Sequence, residues 1–162
     1  MPEYGGPEPL RPDHVLHGFD CGAETLNSWL VRRALQNQAG GGTRTWVVTE
    51  GLQVVAYYAS CTAVLLHSDV TARTRRNQPE PLPAVLLARL AIAVKHQGVG
   101  LGSALVKHFI LKSLEVAQIT GVRLLLVHAK DGRAASFYRE HDFEPSPVDD
   151  LVLMLLVQDI SG

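Results

Sequence analysis

Arg89-Leu90-Ala91-Ile92-Ala93-Val94-Lys95-His96-Gln97-Gly98-Val99-Gly100-Leu101-Gly102 runs an apolar strand into a glycine-rich turn that opens a long amphipathic helix. Glycine permits the tight turning and close backbone approach that such a junction needs. The first N–H groups of the helix have no acceptor within the helix, and a phosphate can fill that vacancy.

The spacing narrows which phosphate. A dinucleotide fingerprint needs G-x-G-x-x-G early in a βαβ unit, with an acidic residue about 20 positions later. Here the glycines stand at 98, 100 and 102, late in the chain, and Lys107 lies too deep in the helix for a Walker loop. By itself such a turn serves packing as readily as binding. The pattern Gln97-x-x-Gly100-x-Gly102 resembles the pyrophosphate loop of the GCN5-related N-acetyltransferases, the GNAT family, which holds coenzyme A.

A second pattern lies downstream. Val122 to His128 reads as a buried strand, and Asp131 occupies a helix N-cap position ahead of Arg133-Ala134-Ala135-Ser136-Phe137-Tyr138. An aromatic pair on a short helix often only fills a core. In the resembled family the equivalent helix stacks beside the thioester, and its tyrosine protonates the departing thiolate; Tyr138 matches that position.

Length and composition set bounds. The chain of 162 residues fits one domain with a sizeable core. Cys21 and Cys61 are too few for a disulfide framework, and no signal peptide or apolar run of about 20 residues is visible, so a cytoplasmic protein without membrane contact is expected. Net charge is −1, yet the ten bases of residues 28–114 face only Glu50, Asp69 and Glu80. Gathered on one face, those bases suit a phosphate backbone; scattered, they are solvated surface charge. His14, His17 and Cys21 lack a fourth ligand at zinc-like spacing, so no metal is expected.

The breaker-rich residues 1–12 read as an extended lead-in without regular structure, and residues 13–162 as a single domain. Leu26, Trp29, Leu30 and Ala34 predict one amphipathic helix over 24–38, with Arg32 and Arg33 outward. A hairpin over 44–66 turns at Glu50-Gly51, and residues 68–83 read as an exposed basic loop. The helix from Leu101 to about Ile119 is expected to bury Leu101, Ala104, Leu105 and Phe109, and a last strand spans Leu151 to Val157. Hairpins followed by two β-α units make a mixed α/β sheet flanked by helices, the order of the GNAT fold.

Phe19-Asp20-Cys21-Gly22, Leu26-Asn27-Ser28-Trp29-Leu30, Arg89-Leu90-Ala91 and Leu126-Val127-His128-Ala129 resemble the TacT and AtaT type of toxin within that family. The resemblance implies acetylation of the α-amine of aminoacyl-tRNA with acetyl-CoA, a homodimer, and a ribbon-helix-helix antitoxin through which alone the protein meets operator DNA. It assigns Tyr138 as the catalytic acid. It assigns coenzyme contacts to Leu90, Ala91 and Ile92, to Gln97, Gly98, Val99, Gly100, Leu101, Gly102 and Ser103, and to Asp131, Ala134 and Phe137. Arg89, Arg32, Arg33, Arg73, Arg75, Arg76 and Lys95 would face the tRNA. Val99 stands where the family often has a basic residue, which removes a charge but no backbone donor. His128 is the best histidine for a general base, though a lone strand histidine is more often structural. Two other readings remain open at this point: a GNAT enzyme acting on a small amine or protein N-terminus, and a non-catalytic acyl-CoA-binding module.

Overall fold

A computed structural model describes residues 3–160. Met1 and Pro2 of the expected lead-in, and Ser161 and Gly162 at the end of the expected domain, lie outside the described residues. The strands are β1 (Tyr4–Pro9), β2 (Arg44–Glu50), β3 (Gln53–Leu65), β4 (Leu82–Ile92), β5 (Leu124–His128), β6 (Glu144–Pro145) and β7 (Val152–Leu156). The helices are α1 (Glu24–Arg32), α2 (Ala34–Ala39), α3 (Ala72–Arg75), α4 (Leu101–Thr120) and α5 (Gly132–Arg139). The strands form one mixed sheet in the order β1-β2-β3-β4-β5-β7-β6. Two compact units share this chain, one comprising the residues up to Cys61 with Ala88–Phe109, the other Thr62–Leu87 and the residues from Ile110 on.

In the first unit β1, β2 and β3 form an antiparallel meander, with Trp46 opposite Tyr58 and Tyr4 opposite Glu50. The expectation of a structureless lead-in is therefore corrected: Tyr4–Pro9 is an edge strand. Proline is tolerated there because an edge strand leaves one row of N–H positions unpaired, and the register shifts between Gly5 and Glu8, where Pro7 stands. The core of this unit gathers Leu10, Phe19, Trp29, Leu30, Ala34, Val47, Val54, Tyr57, Ala59 and Ala91.

The single helix expected over 24–38 is two helices, because Arg33 leaves helical geometry at φ −123° and ψ −28°. No glycine or proline marks that break; tertiary bonds do. Gln38 in α2 donates to the Leu10 carbonyl at 2.8 Å and accepts from the Thr45 N–H at 3.0 Å, joining α2 to the chain after β1 and to β2.

In the second unit β4 and β5 run parallel, with Ala84 opposite Leu124 and Leu87 opposite Val127, and β7 returns antiparallel to β5. Leu65, Val70, Leu82, Ala84, Leu124, Leu126, Met154 and Leu156 make its core. Residues 68–83 are more ordered than the loop expected from sequence. Thr71 caps α3, accepting the Thr74 N–H at 3.2 Å, and the hydroxyls of Thr71 and Thr74 both donate to Glu144 Oε1, at 3.2 and 2.9 Å. Ser146 Oγ donates to the Asp69 carbonyl at 2.6 Å. These polar ties, made 70 or more residues apart, were invisible to local patterning. Along α4, Leu105, Val106 and Phe109 are buried but Ala104 is exposed, which corrects the expected face by one position.

Candidate active site

The glycine turn begins after a short 3₁₀ segment, Val94–His96, that follows β4. Gly98 and Gly100 take φ of +81° and +94°, a conformation that costs an L side chain about 1–2 kcal/mol. A Cβ at either residue would meet nothing within 4 Å, so it is conformation and not crowding that calls for glycine. Gly102 lies inside the first turn of α4, beside the half-buried Leu101 and Ser103. Gln97, Gly98, Val99 and Gly100 are exposed, and Val99 leaves 62% of its surface open.

The segment that carries this turn is free of carboxylates. No aspartate or glutamate occurs between Glu80 and Glu115, whereas Arg89, Lys95, Lys107 and Lys112 do. The turn and the start of a twenty-residue helix thus offer backbone donors with no carboxylate of their own segment in competition. The Gln97 side chain is spent internally: Nε2 donates to the carbonyls of Ile92 at 3.0 Å and Cys21 at 3.3 Å. Its backbone N–H is spent as well, donating to the Val94 carbonyl at 3.3 Å, so the open amides of the turn begin at Gly98.

Arg89, Leu90, Ala91 and Ile92 form the end of β4 in the first unit, Ala91 buried and the others half-buried. Among the described residues no carboxylate pairs with Arg89. Its guanidinium lies over the Trp29 ring, 4.3 Å from the centroid, and Trp29 in turn stacks on Tyr57 at 5.9 Å with planes 16° apart. Trp29 is the residue that sequence reasoning placed only in the core; the signal available was a charge in an apolar strand that needed a partner. Arg32 ends α1, Arg33 follows it, and Lys95 sits in the 3₁₀ segment; all three are exposed.

In the second unit, Asp131 caps α5 as its sequence position predicts, accepting the Ala134 N–H at 2.9 Å. Such a cap is worth about 1 kcal/mol and sets where the helix starts. Ala134 and Phe137 are half-buried and Tyr138 is 6% exposed, held between Phe137 at 5.2 Å and Phe143 at 6.1 Å. Burial pushes the Tyr138 phenol above its ordinary value of 10, so it keeps its proton at neutral pH. Among the described residues nothing hydrogen-bonds to the Tyr138 hydroxyl, so its proton is not committed within the protein. His128 is exposed at the end of β5, opposite Val152, with no described residue orienting its ring.

Of the loop arginines, Arg73 is committed: Nη2 lies 2.6 Å from Asp159 Oδ1, and that contact holds the Asp159 carboxyl below its usual range. Arg75 donates to the His67 carbonyl at 3.3 Å, while Arg76 is exposed with no partner among the described residues. His14 accepts the Arg11 N–H at Nδ1 and so donates from Nε2 to Glu8 at 2.7 Å, which occupies both ring nitrogens.

A family model described as Acetyltransferase (GNAT) domain matches residues 41–145, which span the glycine turn and the Tyr138 helix. The chain belongs to the GNAT acetyltransferase family. The GNAT chain is 40% identical over 159 residues to the tRNA-acetylating toxin of Mycobacterium tuberculosis (strain ATCC 25618 / H37Rv), covering 98% of this chain and 96% of the relative. It superposes on AtaT complexed with acetyl-methionyl-tRNAfMet at a TM-score of 0.86 and 27% identity, covering 93% of this chain and 94% of AtaT. It also superposes on a tyrosine-to-phenylalanine mutant of AtaT bound to the C-terminus of the antitoxin AtaR and acetyl-CoA, with a TM-score of 0.79, 27% identity, and 93% and 92% covered. The mixed seven-stranded sheet with flanking helices is thus the GNAT fold. No helix among the described residues is long and apolar enough to cross a membrane.

Proposed function

We propose that this GNAT enzyme is a toxin that acetylates the α-amine of an amino acid carried by its tRNA, and so withdraws that aminoacyl-tRNA from translation in the cytoplasm. The end-to-end likeness to a tRNA-acetylating toxin carries the proposal. Acetyl-CoA supplies the acetyl group as a thioester.

The residues of the site fit that donor. The backbone N–H groups from Gly98 to Gly102 take its pyrophosphate, on a turn whose own segment lacks carboxylates. Val99 contributes no charge there, so affinity rests on the amides. The backbone of Leu90 to Ile92 donates to the thioester carbonyl, where charge develops. Asp131 and Ala134 set the start of α5, and Phe137 packs on Tyr138. Tyr138 delivers its uncommitted proton to the leaving sulfur.

An aminoacyl α-amine is less basic than a lysine side chain, so it is partly neutral near pH 7 and attacks without a dedicated base; the proton its nitrogen sheds as the amide forms goes to solvent, which also restores the Tyr138 phenol. Arg89, whose guanidinium lies over Trp29, presents its N–H fork to a phosphate of the tRNA acceptor end. Arg32, Arg33, Lys95, Arg75 and Arg76 add sequence-independent phosphate attraction, and Arg73 adds less because Asp159 already holds it. A homodimer would place two such surfaces in one particle. An antitoxin, of the ribbon-helix-helix type by resemblance, is the partner that restrains the enzyme and joins it to operator DNA.

The test is incubation of the purified protein with acetyl-CoA and a pool of charged tRNA, followed by mass spectrometry of the released amino acids. N-acetylated product from one or a few amino acids is expected. Acetylation of free amines alone, with charged tRNA untouched, would overturn the assignment.

A further inference from the structure

Gly98 to Gly100 are exposed, and a Cβ at Gly98 or Gly100 would meet nothing within 4 Å. The direction in which their N–H groups point is therefore set where the turn is rooted, in Val94–Gln97 and in the first turn of α4. The root on the β4 side is held by two separate parts of the first unit. From one part, the Asp20 backbone carbonyl accepts the Val94 N–H at 2.8 Å, and the Cys21 carbonyl accepts Gln97 Nε2–H. From the other part comes the edge strand β1. The Tyr4 hydroxyl shares a 2.8 Å hydrogen bond with His96 Nδ1, and the two rings meet edge to face with centroids 5.6 Å apart. His96 is the last residue of the 3₁₀ segment and stands two residues before Gly98.

We infer that Tyr4, acting through His96, is a positioning residue for the coenzyme turn, so that the leading strand of the chain sets how well the turn receives the pyrophosphate. The inference rests on the coenzyme binding at this turn, as proposed above. Tyr4 touches no reacting atom in this scheme. Its effect falls chiefly on the coenzyme: of the proposed tRNA contacts, Arg89 and the loop arginines lie on other elements, and only the exposed Lys95 shares the 3₁₀ segment with His96.

Three variants read this directly: Tyr4→Phe, His96→Phe and His96→Asn, the last keeping a side-chain acceptor near the place of Nδ1. With aminoacyl-tRNA saturating, Tyr4→Phe and His96→Phe are expected to raise KM for acetyl-CoA about three- to tenfold, the range of one hydrogen bond, with kcat and KM for tRNA unchanged. His96→Asn is expected to restore most of the affinity, but not in the Tyr4→Phe background. Coenzyme A binding by calorimetry should follow the same order. Gly100→Val serves as the reference. If it leaves coenzyme A binding intact, the coenzyme does not use this turn and the underlying reading falls. If Gly100→Val weakens binding while Tyr4→Phe and His96→Phe leave KM for acetyl-CoA unchanged, or shift both KM values and kcat alike, the positioning role of Tyr4 is wrong.

Discussion

The Arg89 guanidinium lies 4.3 Å above the Trp29 ring with no carboxylate among the described residues to neutralise it. A cation satisfied by an aromatic face keeps its N–H edge open for an anion, which a salt-bridged arginine would not. Arg89→Lys loses the flat stacking surface and the fork, and Trp29→Leu removes the platform. Each is expected to lower kcat/KM for aminoacyl-tRNA by roughly tenfold, the order of a desolvated cation–π contact, with KM for acetyl-CoA unchanged. Steady-state kinetics with each substrate varied in turn checks this.

Replacing Tyr138 by Phe keeps the packing against Phe137 and Phe143 but removes the acid. The expected loss in kcat is about 10²–10⁴-fold, with coenzyme A affinity retained. Full activity in Tyr138→Phe would dismiss the acid role and leave Tyr138 as core filling.

Gly100→Ala isolates backbone conformation, since the added methyl meets no neighbour at a φ of +94°. A cost of about 1–2 kcal/mol in holding the turn converts to roughly a five- to thirtyfold rise in KM for acetyl-CoA. An unchanged KM would mean that the turn is not read by the coenzyme in this conformation.

Burial pushes the phenols of Tyr57, Tyr58 and Tyr138 above the ordinary value of 10. The unfolded chain releases those protons near pH 10 while the folded chain retains them. Stability is therefore constant with respect to these groups below pH 10 and falls as pH rises beyond it. Denaturant midpoints measured at pH 9, 10 and 11 should decline across the last two, and a flat profile would contradict the burial of these hydroxyls.

Two neighbouring arginines separate structure from recognition. Arg76→Ala is expected to reduce the slope of log K against log salt for tRNA binding by about 0.7–1. Arg73→Ala, whose guanidinium already faces Asp159, should change that slope less and cost under about 1 kcal/mol of stability, as exposed pairs do. Equal salt slopes for both variants would show that the Asp159 contact does not withhold Arg73.

Local chemistry explains which features were readable beforehand. The glycine turn, the Asp131 cap and the hairpin turning at Glu50-Gly51 each depend on a few adjacent residues whose backbone preferences announce them. What stayed hidden depends on partners far along the chain. Tyr4 and His96 are 92 residues apart, and Thr74 and Glu144 are 70 apart, so neither the function of β1 nor the order of residues 68–83 could be inferred from spacing. The division at Arg33 has the same origin, because bonds from Gln38 to Leu10 and Thr45 outweigh a continuous helical pattern. Gln97 shows the limit of a motif: its identity was noted, but the destination of its side chain was not.

Helix α1 has no side-chain cap at Ala23 to fix its start, but the fully buried Tyr57 donates its hydroxyl to the Leu26 carbonyl at 2.7 Å and so holds its first turn in register. Sliding α1 by one residue would advance it about 1.5 Å and turn its side chains by about 100°, breaking that bond and swinging Trp29 from beneath Arg89. With Asn27 tied to Cys21 and Asp20 at the other side, that phenolic oxygen helps index the helix as a detent pin indexes a shaft, and the seating of a cation is calibrated from a point that no substrate reaches.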